Sequence, residues 1–175
     1  YKSKNLLKAE LLNNELIKAN PKMVFLYNVL GLILTEQKKI NEAIKCYEKG
    51  IEIDPKYVML YNNLGNIYQS KENYNKAENY FKKAILIDGS KAEPQNNLGN
   101  LYLKLNQHQI AITYFKKAIG IKPNFFVSHY NLGIVYKNIG KFKEARKYLK
   151  KSVKLNPHFF TAHRALSQII KYKKK

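Results

Sequence analysis

A single cysteine, Cys46, stands in 175 residues. A lone thiol closes no internal disulfide, and nothing in the sequence supplies the partners of a metal or redox pair. Cys46 therefore reads as a small packed residue rather than a reactive one. No run of 18 apolar residues occurs, so no membrane span is expected. No secretion signal is visible, although a trimmed N-terminus would hide one, and the expected compartment is cytoplasmic. Catalytic signatures are missing too: no Ser-His-Asp order, no metal-ligand spacing and no phosphate-cradling glycine loop. The chain is expected to be no enzyme and to need neither cofactor nor metal. Acidic residues are few, 12 against 32 basic ones, which leaves a formal charge of +20. Either an anionic partner attracts that charge, or lysines merely solvate the outside.

What is present is a period. Gly31, Gly65, Gly99 and Gly133 follow one another at steps of 34 residues. Leu30, Leu64, Leu98 and Leu132 keep the same step, as do Ala43, Ala77, Ala111 and Ala145. Further columns hold Tyr47, Phe81, Phe115 and Leu149, then Pro55, Gly89, Pro123 and Pro157. A fixed step of this length marks an array of units, each burying its apolar face against its neighbours. Each unit reads as two helices. Tyr61, Leu64, Gly65 and Tyr68 share one helical face, and Tyr74, Ala77, Phe81, Ala84 and Ile85 share another. Gly140 sits where a left-handed residue ends a helix, and the prolines stop the second helix of a unit. A glycine inside a helix costs about 1 kcal/mol relative to alanine, so four at equivalent sites imply a packing reason. The expected reason is close approach of the two helices of one unit, with the alanine twelve residues on as partner. The large residues at the tyrosine and phenylalanine columns would then fill the space between units.

The Leu-Gly, Tyr, Ala, Phe, Ala and Pro columns resemble the tetratricopeptide repeat (TPR). The resemblance implies an all-α, right-handed superhelical solenoid across nearly the whole chain. Its full repeats would run over 24–57, 58–91, 92–125 and 126–159. Residues 4–20 would be the second helix of a truncated repeat, and 160–172 a C-terminal capping helix. The chain opens on half a unit without a methionine and closes on Lys173, Lys174 and Lys175, which together suggest a fragment. The family's tryptophan column holds Tyr27, Tyr61, Gln95 and His129, with His163 one step further, and the histidines there read as packed rings.

In this family positions five, six and nine of the first helix face the inner groove. Across the second to fourth repeats, seven of those nine positions are asparagine: Asn62, Asn63, Asn66, Asn96, Asn97, Asn100 and Asn131. Twenty asparagines in 175 residues would not place seven there by chance. Asn62 and Asn66 stack four apart on one helical face, and Asn96 and Asn100 repeat this one unit later. A primary amide both donates and accepts, so a row of them can hold the N–H and C=O groups of an extended peptide. The alternative is that some amides only bridge adjacent helices, position six above all. The row is similar to the asparagine ladder in the repeat arm of O-GlcNAc transferases, which would make Asn63, Asn97 and Asn131 ladder members. Asn28 alone represents the row in the first repeat. Around the row, Tyr130 offers an aromatic wall, and Gln69, Lys137 and Arg164 favour an acidic or polar ligand. No register supplies the cations of the carboxylate clamp found in chaperone-binding members, so a chaperone tail is not the expected ligand.

The expected function is a protein-interaction scaffold that holds an extended peptide. Its runner-up is the substrate-recruiting arm of a glycosyltransferase- or sulfotransferase-type enzyme whose catalytic domain lies outside the chain. Self-association through the open N-terminal half-unit is a third option. The paired lysines Lys82-Lys83, Lys116-Lys117 and Lys150-Lys151 recur on second helices, which form the outer wall in this family. No aromatic-basic reading motif accompanies them, so no specific nucleic-acid partner is expected.

Overall fold

The computed structural model describes residues 2–172, with side chains from 5 to 169; Lys173, Lys174 and Lys175 lie outside the described residues. Among these residues every regular element is an α-helix. They are α1 (Lys2–Ala19), α2 (Val24–Glu36), α3 (Ile40–Ile53), α4 (Val58–Ser70), α5 (Tyr74–Ile87), α6 (Ala92–Lys104), α7 (His108–Ile121), α8 (Phe126–Asn138), α9 (Phe142–Leu155) and α10 (Phe160–Tyr172). Two compact units divide after Asp88. In the first, α1 packs on α2, α2 on α3, α3 on α4 and α4 on α5. In the second, α6 to α10 pack in chain order, and α8 also touches both α6 and α10.

The first helix of each pair ends at the same backbone device. Lys38, Glu72, Asn106 and Gly140 take φ values of 63°, 59°, 59° and 75°. The next N–H then reaches back over the helix end, from Lys39 to Leu34 O, Asn73 to Tyr68 O, Gln107 to Tyr102 O and Lys141 to Tyr136 O, at 2.8–2.9 Å. This left-handed cap satisfies carbonyls that a helix terminus would leave open. Only Gly140 adopts it without strain from a Cβ. After the second helix, the side chains of Asp54 and Asn156 accept from Lys56 N and His158 N at 2.9 and 3.1 Å, which shapes the turn around Pro55 and Pro157.

The column glycines face a different partner from the one their spacing suggests. A Cβ on Gly65 would stand 2.5 Å from the Phe81 ring, and one on Gly99 would stand 2.7 Å from Phe115. On Gly31 it would strike the Tyr47 ring, and on Gly133 it would meet Leu149 Cγ at 2.7 Å. The large residue sixteen positions on therefore lies across the bare Cα inside its own helix pair, where it was expected to fill the space between pairs. The alanine twelve on is among the three nearest neighbours at Gly133, where the Ala145 carbonyl would be 3.3 Å away, while at Gly31, Gly65 and Gly99 ring atoms stand nearer. Tyr47, Phe81, Phe115 and Leu149 are fully buried as a result. Close packing of this kind gives the ring its dispersion contacts on the face that any Cβ would occupy.

Tyr47 differs from the two phenylalanines by a hydroxyl in the core. Burial pushes its pKa up to about 12, while hydrogen bonds to Thr35 and Asn63 pull the other way. Thr35 Oγ1 in turn donates to Gly31 O at 2.7 Å. Cys46 Sγ is 3.3 Å from Tyr27 O, and burial pushes its thiol up to about 11, so it stays a protonated packing residue at neutral pH. Stacked tyrosines clasp the helix pairs: Tyr68 on Tyr80, Tyr102 on Tyr114 and Tyr136 on Tyr148, with centroids 5.4–5.6 Å apart.

A second column ties the turns. Tyr27 and Tyr61 donate their hydroxyls to Pro21 O and Pro55 O at 2.9 and 3.0 Å. His129 and His163 bring Nε2 to 2.9 Å from Pro123 O and Pro157 O. The polar tip of each ring thus holds the carbonyl of the proline six residues before it. In the first unit, Lys39 Nζ also pairs with Glu10 at 3.0 Å, joining α1 to the turn after α2. The hydrogen bonds from Lys39 hold the Glu10 carboxyl below its usual range.

Candidate functional site

The asparagines lie on α2 and α4 of the first unit and on α6 and α8 of the second. They split into two depths. Asn28, Asn62, Asn63, Asn96 and Asn131 are buried, Asn97 and Asn100 half-buried, and Asn66 exposed. Asn62 and Asn66 share one helical face, as do Asn96 and Asn100, so the split is one of how deeply each end of that face is covered.

The buried members bond to each other. Asn63 Nδ2 donates to Asn28 Oδ1 at 2.8 Å, joining α4 to α2. Asn131 Nδ2 donates to Asn96 Oδ1 at 3.0 Å, joining α8 to α6. Ser128 Oγ donates to the same Asn96 oxygen at 2.9 Å, so both lone pairs of that oxygen are used. Asn96 Nδ2 faces Asn97 Oδ1 at 3.4 Å. In the first unit the chain of bonds continues inward, from Asn63 to the Tyr47 hydroxyl. Another buried amide, Asn13 on α1, donates to Leu26 O at 2.9 Å. These amides have the environment of helix-to-helix bridges, the part foreseen for position six, and position five shares it.

The outer members make a different surface. In the first unit, Asn66 is exposed and Gln69 is half-buried one turn further along α4. In the second, Asn100 on α6 and Tyr130 and Lys137 on α8 are half-buried, and Arg164 on α10 is exposed. Tyr130 and Phe126 each make a T-shaped ring contact with Phe159, with centroids 5.1 Å apart. Burial pushes the Tyr130 phenol up, and the positive charge of Arg164 pulls it back. Lys137 Nζ donates to Gln168 Oε1 at 3.3 Å, between α8 and α10. In the second unit, therefore, Tyr130, Lys137 and Arg164 gather on the α8–α10 side. Together they offer an aromatic edge, donors and positive charge, with no catalytic base among them. Among the described residues no group of His, Cys, Asp or Glu could hold a metal ion, and no helix is long and apolar enough to cross a membrane.

Sequence comparison agrees with this architecture. The TPR repeat matches residues 31–72, and the tetratricopeptide repeat matches 56–124 and 126–159. The chain belongs to the tetratricopeptide repeat family. No curated protein matches the sequence significantly. Among solved structures, MamA is 26% identical over 89% of this chain and 91% of its own, with a TM-score of 0.72. YrrB, a TPR protein with an unusual peptide-binding site, is 23% identical over 93% of this chain and 84% of its own, with a TM-score of 0.68. The pilF protein of Pseudomonas aeruginosa is 22% identical over 86% of this chain and 69% of its own, with a TM-score of 0.81. At these identities YrrB and pilF share the fold. The chain is thus an all-α TPR protein, built as an interaction scaffold.

The periodic columns do not reveal which amides pair. The TPR repeat steps by 34, but the bonds Asn28–Asn63 and Asn96–Asn131 span 35 residues, from position five of one repeat to position six of the next. A column comparison at the repeat step cannot show a contact that is one residue out of step.

Proposed function

We propose that this TPR protein holds extended polypeptide on the first-helix face of each unit, with the outer amide of Asn66 in the first unit and that of Asn100 in the second binding main-chain groups. In this reading the inner amides of Asn28, Asn62, Asn63, Asn96 and Asn131 fix the face, and Asn97 stands between the two layers. Gln69, Lys137 and Arg164 add polar and cationic contacts, Tyr130 adds an aromatic wall, and the combination suits a peptide with acidic or polar side chains. The observation that carries the reading is the division of labour itself. Asn66 and Asn100 occupy the ninth position of equivalent helices, on the outer side of amides already bonded to each other.

The test is binding to an array of unrelated extended peptides in moderate salt. Wild type is compared with Asn66→Ala, Asn100→Ala and the double variant. Loss of binding across many sequences, with helix content and melting temperature unchanged, is the expected outcome. Unchanged binding in the double variant would overturn the reading. Retention of only salt-sensitive binding to acidic peptides would move the interaction to the lysine surface.

A further inference from the structure

In both units the tightest helix packing joins the two helices of one repeat, and a lighter contact joins each repeat to the next. Among the described residues, the two end helices lack the tighter kind. α1 stands where a repeat has its second helix, and it packs on α2 of the following repeat. α10 stands where a repeat has its first helix, and it packs on α9 of the preceding repeat. Their uncovered faces are therefore the two halves of one repeat interface.

The last full repeat shows which positions meet in that interface. Ser152 Oγ on α9 donates to Phe126 O on α8 at 2.9 Å. Tyr148 stacks on His129 with centroids 6.0 Å apart, and Leu149 covers Gly133 beside Ala145. One repeat step on from α8, the same positions of α10 hold Phe160, His163 and Ser167, and all three are exposed. Four steps back from α9, the same positions of α1 hold Leu16, Leu12, Asn13 and Ala9. Leu12 and Leu16 are each 51% exposed, although Gly50, Ala84, Ala118 and Ser152, in the column of Leu16, are all buried. Phe160 is 76% exposed, whereas Val58 and Ala92 in its column are buried and Phe126 is half-buried. The apolar side chains at these two positions face solvent only on the helices that have no partner.

We propose that a second copy of this chain covers these faces, with α10 of one copy and α1 of the next forming a complete repeat. Leu16 then packs on Phe160, and Leu12 lies over the His163 ring, which its Nε2 contact with Pro157 O holds in place. A change of size at another column fits the same pairing. Each full repeat sets a large side chain over a bare Cα and leaves no room for a Cβ. Ser167 carries a Cβ where those repeats have glycine, and Asn13 stands where they have the large side chain it would strike. The Asn13 side chain is turned to Leu26 O on α2 instead. The two exceptions fall on the two helices that the pairing brings together. The faces are spaced for a helix of this repeat's own register, and the chain carries one at its other end. Each copy presents both halves, so the contact is head-to-tail and can recur from copy to copy. Copies of charge +20 repel one another, so salt strengthens this contact, the opposite of its effect on attraction to a polyanion.

Sedimentation equilibrium of the full chain, in about 0.15 M and about 0.5 M salt, tests this. The mean mass is expected to rise with protein concentration past that of a dimer, and more steeply at the higher salt. Leu12→Asn/Leu16→Asn disables the α1 face, and Phe160→Asn disables the α10 face. All three side chains are exposed, so the fold does not rest on them, and none belongs to the peptide face. Each variant is expected to weaken self-association at least about tenfold. Leu7→Asn/Leu11→Asn is the control. It removes two exposed leucines from columns that are polar in every full repeat, and it is expected to associate as wild type does. The two disabled variants retain one working α10 face and one working α1 face between them. Mixed in equal amounts, they are expected to form a dimer that grows no further. A monomer at every concentration, or an equal loss in the control, would overturn the pairing. So would full association of Phe160→Asn, because α1 would then be meeting another α1, and so would the absence of a dimer in the mixture.

Discussion

Asn131 donates its side-chain amide to Asn96 across 3.0 Å between α8 and α6, and Asn63 makes the matching bond to Asn28 between α4 and α2. All four side chains are buried. Asn63→Ala strands the Asn28 carbonyl without that donor and is expected to cost about 1–3 kcal/mol. Urea denaturation followed by circular dichroism measures it. Asn66→Ala, on an exposed side chain, is expected to stay within about 0.5 kcal/mol of wild type. Equal stability of the two variants would remove the distinction between inner and outer amides. It follows that loss of peptide binding in an Asn63 variant would be ambiguous, whereas loss in an Asn66 variant would not.

Two glycine-to-alanine changes should act in opposite directions. In Gly65→Ala the new methyl meets the fully buried Phe81 ring, which has nowhere to move, at a cost of about 1–3 kcal/mol. Gly120, on α7, has no atom within 4 Å of an added Cβ. Gly120→Ala is expected to stabilise by up to about 1 kcal/mol through helix propensity alone. Thermal melting of both variants decides the matter.

Lys38 holds a left-handed conformation that Gly140 holds freely at the equivalent cap. Lys38→Gly is expected to raise stability by about 1 kcal/mol, the cost of a Cβ in that region less the extra freedom glycine has when unfolded. Asn106→Gly should give less, because asparagine tolerates this region. A lower melting temperature for Lys38→Gly would mean that its side chain contributes contacts worth more than the strain.

His129 carries a pH signature. Burial lowers its pKa from the usual 6.5, so the unfolded chain binds the proton more readily than the folded one. Stability from this residue is complete above the unfolded value and is lost as the pH falls through it. Melting temperatures between pH 8 and pH 5 should therefore fall more steeply for wild type than for His129→Tyr. Parallel curves would show that the imidazole is not held neutral.

Much of this was legible in the sequence because a repeat shows its own register. The glycines, leucines and rings recur at 34 residues, so helix pairs and the family could be read without coordinates. Alignment gives equivalence but not facing. Gly65 and Ala77 share a repeat as surely as Gly65 and Phe81 do, and only the coordinates show that the ring covers the bare Cα. The asparagine row was visible as composition at three positions, yet its pairing was hidden by a bond one residue out of step. The caps at Lys38 and Glu72 were hidden for another reason: only the fourth repeat has the glycine that advertises the conformation.

The amide bridges also bear on how the array comes apart. Each joins one repeat to the next and leaves the two helices of a single repeat untouched. In the nearest-neighbour description of repeat proteins they belong to the interface term, not to the intrinsic term of any unit. Removing one should therefore do more than lower a midpoint. It should let adjacent repeats unfold at different denaturant concentrations, so that a single steep transition becomes two shallower ones.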